Sequence, residues 1–148
     1  MRIYLDNCCF NRPYDNQSQI RIHLETEAKL HIQELIKKQE LDLVVSYMLE
    51  YENSKNRSLA KKQAIMDFIV QNEAYYVGEN RIKEAEKIAV SIMQTGVKEK
   101  DAIHVACAIL AECKYFITTD DRLLKYKNDK VTLIAPCEFI RILEGENG

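Results

Sequence analysis

Residues 100–120 read KDAIHVACAILAECKYFITTD, and the order of elements inside this stretch decides the fold. Apolar residues crowd positions 99–112, which reads as the most apolar helix of the chain, and Tyr115 to Thr118 then reads as a short strand ending at Asp120. Toward the C-terminus, Val131 to Ile134 is another strand-like run, and Pro136 suits the first turn of a last helix through Leu143. Toward the N-terminus, Ile82, Ala85, Ala89, Ile92 and Met93 mark an amphipathic helix stopped near Gly96. Glu73 to Val77 is strand-like, 58–71 helical, Met48 to Asn53 helical and Leu41 to Val45 strand-like. Residues 18–39 carry helical spacing at Ile20, Leu24, Ala28, His31 and Leu35, with Ser18 as the expected N-cap. A polar stretch containing Asn11, Pro13, Asp15 and Asn16 separates this helix from the opening strand Arg2 to Leu5. Strands separated by helices require parallel crossovers. The expectation is therefore an α/β fold, a three-layer α/β/α sandwich with a mostly parallel sheet.

At 148 residues the chain is long enough to bury one core, so a single domain over residues 1–148 is expected. Apolar residues at 47% and charged residues at 30% argue against disorder. The longest apolar run, Val105 to Ala111, is far short of the ~20 residues that span a bilayer. MRIYLDNCCF at the N-terminus carries an early acid and no extended apolar region, so no signal peptide is read and a cytoplasmic location is expected. Five cysteines, an odd number without a C-x-x-C pair, fit small buried residues in a reducing compartment better than disulfides or structural zinc. The net charge of −2 tells mildly against a nucleic-acid binder, although a site built of carboxylates would itself lower the charge.

In sheets of this kind ligands sit beyond the carboxyl ends of the strands. Asp6 follows the first strand, Glu50 and Glu52 the second, and Asp120 and Asp121 the strand at Tyr115, while Asp101 opens the apolar helix. Hard cations such as Mg²⁺ bind through a few carboxylates and water, and such a cation can activate water for attack on a phosphodiester. The plain alternative is that each acid is a cap or a solvated charge, and Asp101 would suit its helix N-terminus. Asp6 resists that reading, because it lies between an apolar strand and Cys8-Cys9-Phe10.

Leu5-Asp6-Asn7, Glu52 after Ser46, Asp101-Ala-Ile-His-Val-Ala106 and Ile117-Thr-Thr-Asp120 occur in this order along the whole chain. Together they resemble the four signature segments of PIN-domain nucleases, including VapC-type toxins. The resemblance implies a ribonuclease dependent on Mg²⁺ or Mn²⁺, with Asp6, Glu52, Asp101 and Asp120 catalytic. Asp6, Asp101 and Asp120 would hold the metal, and Thr118 would order one of the acids. It further implies RNA as substrate, an antitoxin as a possible partner protein, and a homodimer. Two departures stand out. The family's Asp-Thr-Asn is Asp6-Asn7-Cys8 here, which leaves Asn7 to support the first acid. Glu50 and Glu52 lie two apart and would point about 200° apart on a helix, so only one can face a common centre; the spacing from Ser46 favours Glu52. Asp121 is a peripheral fifth acid.

Other residues invite a role. His104, three residues after Asp101, shares its helical face and could be a ligand or general base; the resemblance implies packing or a supporting hydrogen bond instead. The segment 54–62 holds four bases and no acid, making Lys55 and Arg57 candidates for RNA contact, against the plainer reading of a solvated helix face, while Arg12, near the end of the first strand, could contact RNA or pair with an acid. A haloacid-dehalogenase-type phosphatase would need an acid at position 8, where cysteine stands. Phosphate-cradling loops need glycines, and none of the 4 lies near the first strand–helix turn. The remaining alternative is a non-catalytic PIN-like module that binds RNA or protein, which would be expected to have lost at least one of the four acids.

Overall fold

The structure, a computed structural model, describes residues 1–147, so Gly148, the last residue of the expected domain, lies outside the described residues. Five strands, β1 (Arg2–Leu5), β2 (Asp42–Ser46), β3 (Glu73–Val77), β4 (Tyr115–Ile117) and β5 (Thr132–Ile134), form one sheet in the order β3-β2-β1-β4-β5. All four pairings are parallel. The α/β fold read from the alternation of strands and helices is thus the one observed.

Alternation along the strands sorts the core into two layers. Tyr4, Val44 and Phe116 face one side and pack against Ala85, Ala89 and Ile92 of α5 (Ile82–Met93) and Ala102, Val105 and Ala106 of α6 (Glu99–Leu110). Ile3, Leu5, Leu43, Val45 and Ile117 face the other. There they meet Phe10 of α1 (Asn7–Asn11), Ile32 and Ile36 of α2 (Ile20–Lys37), and Leu49 of α3 (Tyr47–Ser54). Ile65 and Ile69 of α4 (Leu59–Asn72) and Phe139 of α7 (Pro136–Asn147) complete that layer. Small residues on α5 and α6 let these helices lie close to the sheet, so the most apolar helix is also the most completely buried.

Several local expectations need correction. Helix α1 arises inside the segment read as irregular: the Asp6 carboxylate accepts the Asn7 N–H and the Asp6 carbonyl the Cys9 N–H, enough for a short helix that periodicity cannot register. Ser18 does not cap α2. Its hydroxyl donates to the Asn16 side chain, and the helix starts one residue later behind Gln19, without a side-chain cap. Helix α7 runs on to Asn147 rather than ending at Leu143. Cys9, Cys107 and Cys113 are buried, but Cys8 is half-buried and Cys137 exposed, so the cysteines are not uniformly core residues. Among the described residues no helix is long and apolar enough to cross a membrane.

Candidate active site

Strand order reverses at β1, which has β2 on one side and β4 on the other; in an open parallel sheet this is where a crevice opens. Asp6 leaves β1 at that point, its N–H donating to the Ile117 carbonyl of β4 at 2.9 Å. It is only 6% exposed, and its carboxylate is fully engaged. Oδ1 accepts the Asn7 N–H at 2.8 Å, and Oδ2 accepts the Thr118 hydroxyl at 2.8 Å. The same Thr118 oxygen accepts the Asp120 N–H at 3.1 Å, so one hydroxyl ties the first acid to the backbone of the last. Asp120 Oδ1 accepts the N–H groups of Arg122 and Leu123, which folds the following loop back over the strand end. The Cys8 thiol lies 3.5 Å from both Asp6 Oδ2 and the Thr118 hydroxyl, packing against the pair they form.

Glu52 is held from beneath. His104, 0% exposed, donates from Nε2 to Glu52 Oε1 at 2.6 Å. Its Nδ1 lies 2.5 Å from the Tyr4 hydroxyl, which in turn lies 2.6 Å from Ser46 Oγ. A buried chain therefore runs from β2 through β1 and α6 to the carboxylate. Burial opposes ionisation of Glu52, but the hydrogen bond and charge of His104, then Lys100 and Asn7, hold its carboxyl below the ordinary range. Burial likewise opposes protonation of His104; Glu52 and then the charge of Asp6 outweigh it and raise the imidazole pKa. The two shifts agree on an ionised Glu52 beside a protonated His104.

Asp6, Glu52, Asp101 and Asp120 line one cleft of about 350 Å³, together with Asn7 and Arg12. Burial, followed by the charges of Asp6 and Asp120, pushes Asp101 up to about 6. Burial is the larger cause, and the neighbouring carboxylates add to it. Among the described residues no three His, Cys, Asp or Glu side chains stand close enough to form a ready-made cage, so the compact carboxylate cluster expected from the sequence is not present in these side-chain positions. An all-oxygen donor set carrying excess negative charge nonetheless suits a hard divalent cation, since Mg²⁺ keeps several waters and takes only one or two carboxylates.

The other sequence candidates are spread out. Glu50 lines a separate cavity with Tyr47 and Tyr76. Asp121 points away and receives both terminal nitrogens of Arg21 at 2.7 Å. Arg12 reaches the cleft wall, but its guanidinium is engaged at 2.9 Å by both Glu25 and Asp15. Lys55 lies over the Tyr51 ring beside a small recess that also holds Glu52, and Arg57 is exposed. The chain Tyr4–Ser46, the Cys8 thiol and the bases after Asp120 were not singled out from the sequence. Only the last left a visible trace, the run Arg122, Lys125, Lys127 and Lys130 after the strand.

No family model and no curated protein matches the chain. Three crystal structures share its fold. VapBC2 from Rickettsia felis, bound to a DNA fragment from their promoter, superposes with a TM-score of 0.56 at 14% identity over 91% of this chain and 98% of that one. FitAcB from Neisseria gonorrhoeae gives 0.56 at 14% identity over 90% and 97%, and FitAB bound to an IR36 DNA fragment 0.57 at 14% over 91% and 95%. The fold is thus PIN-like, and the resemblance to VapC-type proteins carried by the four sequence segments holds at the level of structure.

Proposed function

We propose that this protein is a ribonuclease dependent on Mg²⁺ or Mn²⁺, in which Asp6, Asp101 and Asp120 hold the cation and Glu52 completes the acidic site. The observation that supports this most is geometric: Asp6, Glu52, Asp101 and Asp120, from four separate parts of the chain, line one cleft at the point where the strand order reverses. Mutual repulsion of such carboxylates has a cost in the folded state, and a divalent cation relieves it. When bound, the cation supplies charge neutralisation at a phosphodiester and activation of water.

The chain's own residues have separable tasks. Thr118 and the Asn7 N–H fix the Asp6 carboxylate, while the Arg122 and Leu123 N–H groups fix that of Asp120. His104, tethered through Tyr4, keeps Glu52 ionised and turned into the cleft, where it can orient a water by accepting its hydrogen bond. In this reading the protein acts in the cytoplasm with a protein partner of the antitoxin kind, which the two-component VapBC2 and FitAB neighbours support, and forms a homodimer, as the resemblance of its sequence implies. A short DNA-binding-type reading frame directly upstream would support the toxin role. Purified protein is expected to cleave single-stranded RNA with Mg²⁺ or Mn²⁺ and to stop on chelation. RNA that is bound but left intact under every metal condition would mark the non-catalytic alternative instead.

A further inference from the structure

A cavity of about 780 Å³ adjoins the acidic cleft and shares Asp101 and Asp120 with it. Its opposite character is what sets it apart. Lys98, Arg122, Lys125 and Lys127 line it, all exposed, and among the described residues none of the four forms an ion pair. In a chain of net charge −2, four cations against two carboxylates around one cavity, with no ion pair formed by any of the four, are a concentration that solubility alone does not require.

The walls are also built. One is the loop between α5 and α6, which turns at Gly96 with φ +102° and is pinned by Val97 against the core. The other is the loop after β4, anchored by buried Leu123 and by the two N–H groups that Asp120 accepts. The carboxylate at the edge of the acidic cleft thereby sets the position of the strip that carries Arg122 and Lys125. Tyr126 lines the same wall, half-buried, with its hydroxyl accepting from the Asn128 side chain.

We propose that this cavity is the track for single-stranded RNA flanking the scissile bond, with Lys98, Arg122, Lys125 and Lys127 taking phosphates and Tyr126 offering a ring to a base. The proposal rests on the ribonuclease reading and moves the RNA path away from the edge at Lys55 and Arg57. The volume holds roughly two nucleotides, on the scale of ordinary ligand pockets. Phosphate contacts by lysine and arginine combined with an aromatic platform form the usual grip on an unpaired strand. An acidic peptide is the less suitable occupant, because its own carboxylates would meet Asp101 and Asp120 at the inner end.

The test compares the wild type with the triple variant Lys98→Gln/Lys125→Gln/Lys127→Gln and the double variant Lys55→Gln/Arg57→Gln. Binding of a fluorescein-labelled 12-nucleotide single-stranded RNA is followed by anisotropy across a salt series, with thermal melts to verify folding. The triple variant is expected to bind at least about tenfold more weakly, with a salt slope shallower by about 2, and the double variant to stay within about threefold. A triple variant with wild-type affinity and slope would overturn the track while leaving the ribonuclease reading intact. Tighter wild-type binding of polyglutamate than of RNA would overturn it in favour of an acidic protein partner. A wild type that neither binds nor cleaves RNA would bring down the track and the ribonuclease reading together.

Discussion

Two groups of carboxylates sit side by side in this protein and are treated in opposite ways. On one side Asp15, Glu25 and Asp121 are each paired: Arg12 bridges Asp15 and Glu25, and Arg21 bridges Glu25 and Asp121. On the other, Asp6, Asp101 and Asp120 have no cationic side chain within ion-pairing distance among the described residues, and burial, followed by the charges of Asp6 and Asp120, raises the Asp101 pKa to about 6. Acids that receive arginines from their own chain have their charge satisfied at folding and serve the structure. Asp6 and Asp120 are instead held by hydroxyl and N–H donors and have no counter-charge from their own chain, which is the feature the proposed cation site rests on.

The neighbours Asp120 and Asp121 divide between the two groups, which gives the largest predicted contrast. Asp120→Asn is expected to lower RNA cleavage about a hundredfold or more, on the scale set by losing a group that holds the reacting centre. Asp121→Asn removes only an exposed pair with Arg21, and cleavage should stay within about threefold because such pairs contribute little. Equal losses in a single-turnover assay of both variants would erase the distinction.

The second contrast concerns stability. Glu25→Gln leaves Arg12 and Arg21 without their shared buried partner, and unfolding should become easier by about 2 kcal/mol. Thermal melts should show this as a fall of roughly 4–8 °C. Asp101→Asn should act in the opposite direction in the metal-free protein. Its pKa is about 6 when folded against an ordinary 3.8, so between those values the folded state holds a proton that the unfolded state has released. Stability therefore falls as pH rises through that window, and the penalty is complete above it. With chelator at pH 8 the variant should melt roughly 3–6 °C higher than wild type. Near pH 4 the difference should vanish. A variant that melts lower at pH 8 would show that Asp101 is stabilised by something other than a cation.

Most of the fold was legible because its strands are short apolar runs set between helices, and parallel pairing follows from that alternation. The sequence also marked the four acids, since three fall at strand ends and one at a helix start. It could not assign Asp15 and Asp121 to the compensated group. Asp15 pairs with Arg12 only because a short turn at Arg12–Tyr14 brings the two together, and Arg21 on α2 meets Asp121 across 100 positions of sequence. The tether behind Glu52 was legible only in part: His104 was expected to pack or to give a supporting hydrogen bond, but its links to Tyr4 and Ser46 span three elements distant in sequence. Helix α1 was missed because five residues are too few to show a helical period. The basic cavity was within reach of a charge scan of residues 122–130, but its other wall at Lys98 comes from a different loop.

Calorimetric titration of the RNA-free protein with Mn²⁺ reaches the centre of this account, because it measures whether the uncompensated group binds a cation without relying on turnover. Wild type and Glu25→Gln should release heat with a saturable isotherm, and Asp6→Asn and Asp101→Asn should bind about tenfold or more weakly, each having lost one negative charge from the cleft. A wild type that binds no Mn²⁺ at millimolar concentration, or Asp6→Asn and Asp101→Asn isotherms matching wild type, would contradict it.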